Sequence, residues 1–254
     1  MRINIRVMSV VLPTLVAHLL LCSPAVAQQH NTCPPSKHTL YSRHAVSLDD
    51  ASDHPVRVVS PDGKKVLLAR TIQDDRDPDG MHISYTVGVA GRTFTTRLLG
   101  FNGEVAWSPD SKAFAVNQTE GGGGLGTRVY VFFVEEDGLR KLDVSSPIEK
   151  DFGHPVQCEI EVPPNTGFIS WRSDSSALLV AAEVVPVSIC KCMGTYRVYE
   201  TSLPSLTIKQ TYAQPEAQER FKGLLGCELR DRDDSCSAIL ERNIRRRAGL
   251  APPK

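Results

Sequence analysis

The chain has 254 residues, 41% of them hydrophobic, with 29 basic and 29 acidic side chains. This composition supports one domain of ordinary size around a buried core, and the balanced charge gives no electrostatic reason to expect nucleic acid binding. Beyond the N-terminus, no apolar run is long enough to predict a transmembrane helix.

The N-terminus has Arg2 and Arg6, an apolar run from Val7 to Leu21, and then Ala25-Val26-Ala27. This predicts a secretory signal peptide over residues 1–27, cleaved after Ala27, and a secreted or periplasmic product. The apolar core is too short for a stable span. Leu21, just ahead of Cys22, is not the small residue that a lipoprotein box requires. The remaining 227 residues keep 27 basic and 29 acidic groups, since only Arg2 and Arg6 leave with the signal. Residues 28–53 read as a lead: Pro34 and Pro35 suit an extended linker, and residues 39–48 supply one expected strand.

Three copies of one pattern follow. Val58-Val59-Ser60-Pro61-Asp62-Gly63-Lys64-Lys65-Val66-Leu67-Leu68 reads as apolar strand, tight polar turn, apolar strand. Val105 to Val116 repeats it around Ser108-Pro109-Asp110-Ser111, and Ile169 to Val180 repeats it around Arg172-Ser173-Asp174-Ser175. Proline presets φ for the first corner of a β-turn, aspartate and serine bond nearby amides, and Gly63 relieves any demand for positive φ. The flanking β-branched and aromatic residues suit half-buried strands. The matched aspartates are 48 and 64 residues apart, so the second interval holds an insertion.

These repeats resemble the TolB-type, WD-like β-propeller repeat, in which S-P-D-G joins the first two strands of a four-stranded blade. The resemblance covers residues 54–212, with the third copy degenerate. It implies an all-β, β-propeller-like domain with three recognisable four-stranded blades. Strands are expected near 56–60, 64–72, 82–90 and 93–99; near 104–108, 113–119, 127–135 and 139–145; and near 167–172, 176–185, 194–203 and 206–212. Closed propellers typically have at least four blades. Three repeats therefore leave open an arc, a propeller completed by an unrecognised blade, or part of an oligomer.

Pro147, Pro155, Pro163 and Pro164 predict an irregular path through the insertion at 146–166. Residues 213–254 form a short helical C-terminal segment and tail, with one helix opening at Pro215-Glu216 and another over 234–247. These helices are expected to cover a sheet edge or an open end of the arc. Arg242 to Arg247 is read as a solvated helix end.

In an up-and-down blade, the loop between the second and third strands lies on the same face as the inter-blade connection. Here those loops are Asp74-Asp75-Arg76-Asp77-Pro78-Asp79-Gly80, Glu120 with Gly121, Gly122, Gly123 and Gly124, and Cys190-Lys191-Cys192. This face is the expected working surface, with Asp74, Gly121, Gly122, Gly123, Gly124 and Lys191 as candidate partner contacts. Asp75, Asp77 and Asp79 have the D-x-D-x-D-G spacing that turns alternate carboxylates around a glycine bend, a candidate calcium site. An EF-hand would have its bidentate glutamate where Thr86 stands. The glycine run has Thr127 where a P-loop has lysine, so a hairpin loop accounts for it.

Cys33, Cys158, Cys190, Cys192, Cys227 and Cys236 are an even set in an exported chain and are read as disulfide candidates, with Cys227–Cys236 the favoured pair. There is no G-x-S-x-G elbow and no H-E-x-x-H. His38, His44, His54, His82 and His154 are scattered singly, so no catalytic residue is assigned. Trp107 and Trp171 are read as core packing, and Asn117-Gln118-Thr119 matches a glycosylation sequon. The expected function is an exported, non-catalytic binding or scaffold protein that presents loops on one face to a protein or envelope partner. The alternative is a metal-dependent enzyme or ligand-binding protein that uses the acidic loop 74–80.

Overall fold

Local turn chemistry builds the hairpins. Ser60 Oγ donates to Asp62 Oδ1 (2.6 Å), which also accepts from Lys64 N (3.0 Å). Ser108, Asp110 and Lys112 repeat the arrangement at 2.7 and 3.1 Å. In the third turn Ser176 bonds Asp174 through both N (3.0 Å) and Oγ (2.7 Å). The residue after each aspartate has positive φ: 71° at Gly63 and 61° at both Ser111 and Ser175.

The computed structural model describes residues 41–48, 51, 54–74, 77–100, 102–120, 126–186 and 190–250, with 74 and 77–79 described by backbone alone. The expected signal sequence and Cys33 lie outside these residues. A short strand, β1 (Val46–Ser47), precedes the first sheet, a meander of β2 (Val56–Val59), β3 (Lys65–Asp74), β4 (Asp77–Val89) and β5 (Arg92–Leu99). The second sheet runs β6 (Asn102–Trp107), β7 (Ala113–Thr119), β8 (Thr127–Val134) and β9 (Leu139–Asp143). β1 adds to its free β6 edge, so the lead gives this sheet a fifth strand where four were expected. The third sheet is β10 (Asn165–Trp171), β11 (Ala177–Glu183), β12 (Tyr196–Ser202) and β13 (Ile208–Ala213). All strand pairs are antiparallel. Except at β4, which begins at Asp77 rather than near residue 82, the twelve expected strands end within two residues of these bounds.

The sheets stack as layers. Leu67, Ile83, Tyr85 and Val87 of the first face Trp107, Phe114, Val116 and Phe132 of the second. Ala115, Val129 and Val131 on the other face of the second meet Phe168, Leu178 and Val180 of the third. One set of hydrogen bonds is repeated at both junctions. Trp107 Nε1 donates to Val58 O and Trp171 Nε1 to Ala106 O, each at 3.2 Å. Asp62 N donates to Ser111 Oγ (3.0 Å) and Asp110 N to Ser175 Oγ (3.1 Å). These serines hold a backbone conformation that glycine adopts at lower cost, and their hydroxyls join one turn to the next. In the first sheet the corresponding positions are Gly63 and Val59, and the series starts there.

The insertion contains a helix, α1 (Ser145–Phe152), where an irregular path was expected. Pro147 falls in its first turn, where a missing N–H costs little. Asp143 Oδ1 accepts from Ser145 N (3.0 Å) and Ser146 N (3.2 Å), while Ile148 and Phe152 turn into the core. After β13 come α2 (Gln214–Arg220), α3 (Cys227–Arg230) and α4 (Ser237–Arg247). Ala217, Phe221, Leu225 and Leu229 cover the outer face of the third sheet at Leu179, Ala181, Tyr196, Val198 and Tyr212. Of the two places expected, the helical segment takes the outer face of the end sheet rather than a sheet edge, and α4 places Leu240 and Ile244 in one cluster with Ile148 and Phe152 of α1. Among the described residues nothing covers the outer face of the first sheet, where Leu68 and Leu99 are 39% and 48% exposed.

Disulfides join Cys158 to Cys190 (S–S 2.02 Å) and Cys192 to Cys236. The expected Cys227–Cys236 pair is not formed. Residues 231–235 carry Cys236 to the turn at Cys192, and Cys227 is disulfide-bonded elsewhere. The two cystines fit an oxidising extracellular or periplasmic setting. Among the described residues no helix is long and apolar enough to cross a membrane.

Candidate binding groove

β2 and β10 lie at one side of their sheets, β6 is bordered there only by the two-residue β1, and a groove of about 390 Å³ runs between them. Val58, Trp107 and Trp171 wall it, Pro61 and Pro109 of the turns close one end, and His44 and Val46 enter from the lead. Both tryptophans of the chain line this groove. Trp107 also packs edge-on against Phe114 (5.4 Å between centroids), as expected for a core residue. Trp171 is half-buried, with its ring beside Phe168. His44 is the one titratable residue among the described lining residues.

Behind the groove, the lead from Tyr41 to Ser47 acts as a strap. Arg43 N donates to Leu224 O (2.9 Å), Gly226 N donates to Tyr41 O (2.8 Å), and β1 pairs with β6. The Tyr41 ring lies so close over Gly167 that a Cβ there would overlap it. Tyr41 N donates to the buried Glu104 carboxylate at 3.2 Å. Glu104 in turn accepts from Asn117 Nδ2 at 2.6 Å. Asn117 Oδ1 accepts from Phe168 N (2.5 Å), and its Nδ2 also reaches Phe168 O (3.2 Å). The amide thus meets the backbone of β10 much as a neighbouring strand would. The next residue, Gln118, accepts from Tyr85 OH in the first sheet at 2.6 Å, so adjacent β7 side chains bind opposite layers. Asn117 is 2% exposed with both amide atoms engaged, so the sequon is closed to glycosylation in the folded protein.

Tyr41 OH donates to Glu183 Oε2 (3.1 Å), and Arg232, which also pairs with Glu228, contacts Glu183 Oε1 (3.1 Å). Burial pushes the Glu183 carboxyl up to about 7, while the Arg232 charge and the Tyr41 hydroxyl pull it down. A carboxyl raised above its unfolded value of 4.5 favours the fold in its protonated form. That contribution is complete below pH 4.5 and is lost as pH rises through about 7, at a cost on the order of 3 kcal/mol. In thermal melts, Glu183→Gln should therefore gain on the wild type as pH rises across this window. A constant difference in melting temperature would remove Glu183 as the titrating group.

The expected working loops fall largely outside the described residues, including Asp75, Gly121, Gly122, Gly123 and Gly124. Asp74 closes β3 opposite Asp77 at the start of β4, and Asp79 follows in that strand. Lys191 is exposed between the two cystines, its N–H bonded to Gln157 O (3.0 Å). Among the described residues no three His, Cys, Asp or Glu side chains form a metal cluster. The structure instead brings together residues the sequence analysis did not assign to a site: Tyr41, Glu104, Glu183 and Arg232. Their available signal was polarity inside apolar strands, as in Ala-Leu-Leu-Val-Ala-Ala-Glu over 177–183, where every residue is buried. Compared with known proteins, the chain matches no family model and no curated relative.

Proposed function

We propose that this is an exported, non-catalytic binding protein on a β-propeller-like array of the TolB or WD-like kind, and that it holds an apolar segment of a protein partner in the tryptophan-walled groove. The propeller reading draws support from the meander order within each sheet and the hydrogen bonds repeated between successive turns. The binding reading rests on the groove itself. It is apolar, about 390 Å³, and rimmed by strand edges whose carbonyls at Val58 and Ala106 and both backbone groups at Phe168 are already bonded. Side chains, rather than an added β-strand, are what such a site accepts. Glu104 and Glu183 bond to the strap and the C-terminal segment, which are structural duties.

Because both tryptophans line the groove, their fluorescence reports its occupancy. A photoreactive residue at Ser170 should capture the partner from the native envelope or secreted fraction. Titration with the purified partner should then shift tryptophan emission. Val46→Glu, which puts a charge on an exposed groove residue, should weaken binding about tenfold or more. A partner that binds with no emission change and equal affinity for Val46→Glu would place recognition elsewhere.

A further inference from the structure

The two ends of the sheet stack are finished differently. Apolar side chains of the C-terminal segment seal the third sheet, while the outer face of the first meets no other part of the described chain. Register places Arg70, Ser84 and Arg97 in one row across β3, β4 and β5. At the spacing of neighbouring strands, the two arginine backbones are about 10 Å apart. Arg57 lies on the adjoining row, opposite Leu68, about 8 Å diagonally from Arg70. All three arginines are exposed, and among the described residues none meets a carboxylate or another acceptor. Ser84 between them is only 8% exposed, as expected when two long stems lie over a small residue.

We propose that this face docks an acidic surface of a partner protein, a contact separate from the groove. The cations require an anionic partner, and the two rows that hold them, Arg57–Leu68–Thr86–Thr95 and Arg70–Ser84–Arg97, carry neither lysine nor acid. Arginine with lysine and acids depleted is the composition of protein interfaces. Leu68 and Leu99 supply exposed apolar surface near the charges, and the Thr86–Thr95 hydroxyl pair (3.0 Å) joins neighbouring strands beside them. A like repeat is not the fitting occupant, because the first sheet has Gly63 and Val59 where the interlocking serine and tryptophan would stand.

The test uses the disulfide-bonded protein and poly-L-glutamate as the acidic polypeptide. Wild type should bind with a salt-dependent affinity that falls about tenfold or more in R57S/R70S/R97S. That variant should melt close to wild type, since no described contact is lost. R242S/R246S on α4 should change binding less than twofold. Equal binding by the triple variant, or an equal loss in the α4 variant, overturns the proposal. Binding through these arginines to dextran sulfate or phosphatidylglycerol vesicles but not polyglutamate overturns the acidic protein as occupant. Self-association of the wild type, abolished both by the triple variant and by D74N/D77N/D79N, would make the occupant a second copy and overturn it too.

Discussion

Asn117→Ala should be among the most damaging polar substitutions in this protein, costing about 3–5 kcal/mol. Its side chain joins three groups that water does not reach: the Glu104 carboxylate and both backbone groups of Phe168. Alanine leaves these without their amide partner, and an unmet buried group costs about 1–3 kcal/mol. Against a typical stability of about 5–15 kcal/mol, the variant would be partly unfolded at physiological temperature. Urea denaturation of the two proteins checks this, and a loss under about 1 kcal/mol would show that solvent or rearrangement replaces the amide. Asn117→Asp is a useful companion. It keeps an acceptor for Phe168 N but sets a second carboxyl beside Glu104, so its stability should fall as pH rises and the pair is forced to share a proton.

Replacing Cys192 and Cys236 together with serine should cost about 2–4 kcal/mol. The bridge closes a separation of 44 residues and ties the start of α4 to the turn at Cys192. Without it, α4 is held by its packing at Leu240 and Ile244, its Arg197–Glu241 ion pair (3.4 Å) and the hydrogen bonds of Asn243 to Pro155 O (2.7 Å) and Arg247 to Phe152 O (3.1 Å), none of them covalent. Amide exchange should therefore accelerate in residues 237–247 before the rest of the fold, a local opening ahead of global unfolding. Uniform acceleration would mean that the helix and the sheets open as one unit.

The hairpins were legible because their information is local. An apolar strand, a serine–proline–aspartate corner and another apolar strand specify a turn whatever lies around it, as the second copy at Ser108-Pro109-Asp110 illustrates. The interlock between turns was not legible, although its residues were in view. Ser111 and Ser175 look like ordinary turn serines until the neighbouring Asp62 and Asp110 amides are brought beside them. The helix at Ser145–Phe152 was obscured by Pro147, which breaks a helix interior but is tolerated in a first turn. Cystine pairing depends on where α4 packs, and closeness in sequence pointed to Cys227–Cys236 instead. Asn117 is the clearest case. Its sequence context matches a surface glycosylation signal, while its neighbours in β7 form a strand buried at every position.

The strap also constrains the order in which the chain can fold. Each sheet is a succession of adjacent hairpins and can zip from contacts near in sequence, which makes little demand on chain entropy. The strap is different: Ser42 pairs with Leu225, joining the beginning of the described chain to its last quarter. Its neighbour Tyr41 needs Gly226 from the same late segment. During synthesis, the three sheets can therefore collapse while the strap still waits for its partner. Until the C-terminal segment arrives, Glu104 and Glu183 lack much of their shielding, and the outer face of the third sheet stays open. The final closing step is then the joining of the strap to residues 224–226, and a chain stopped short of residue 224 would be trapped just before it.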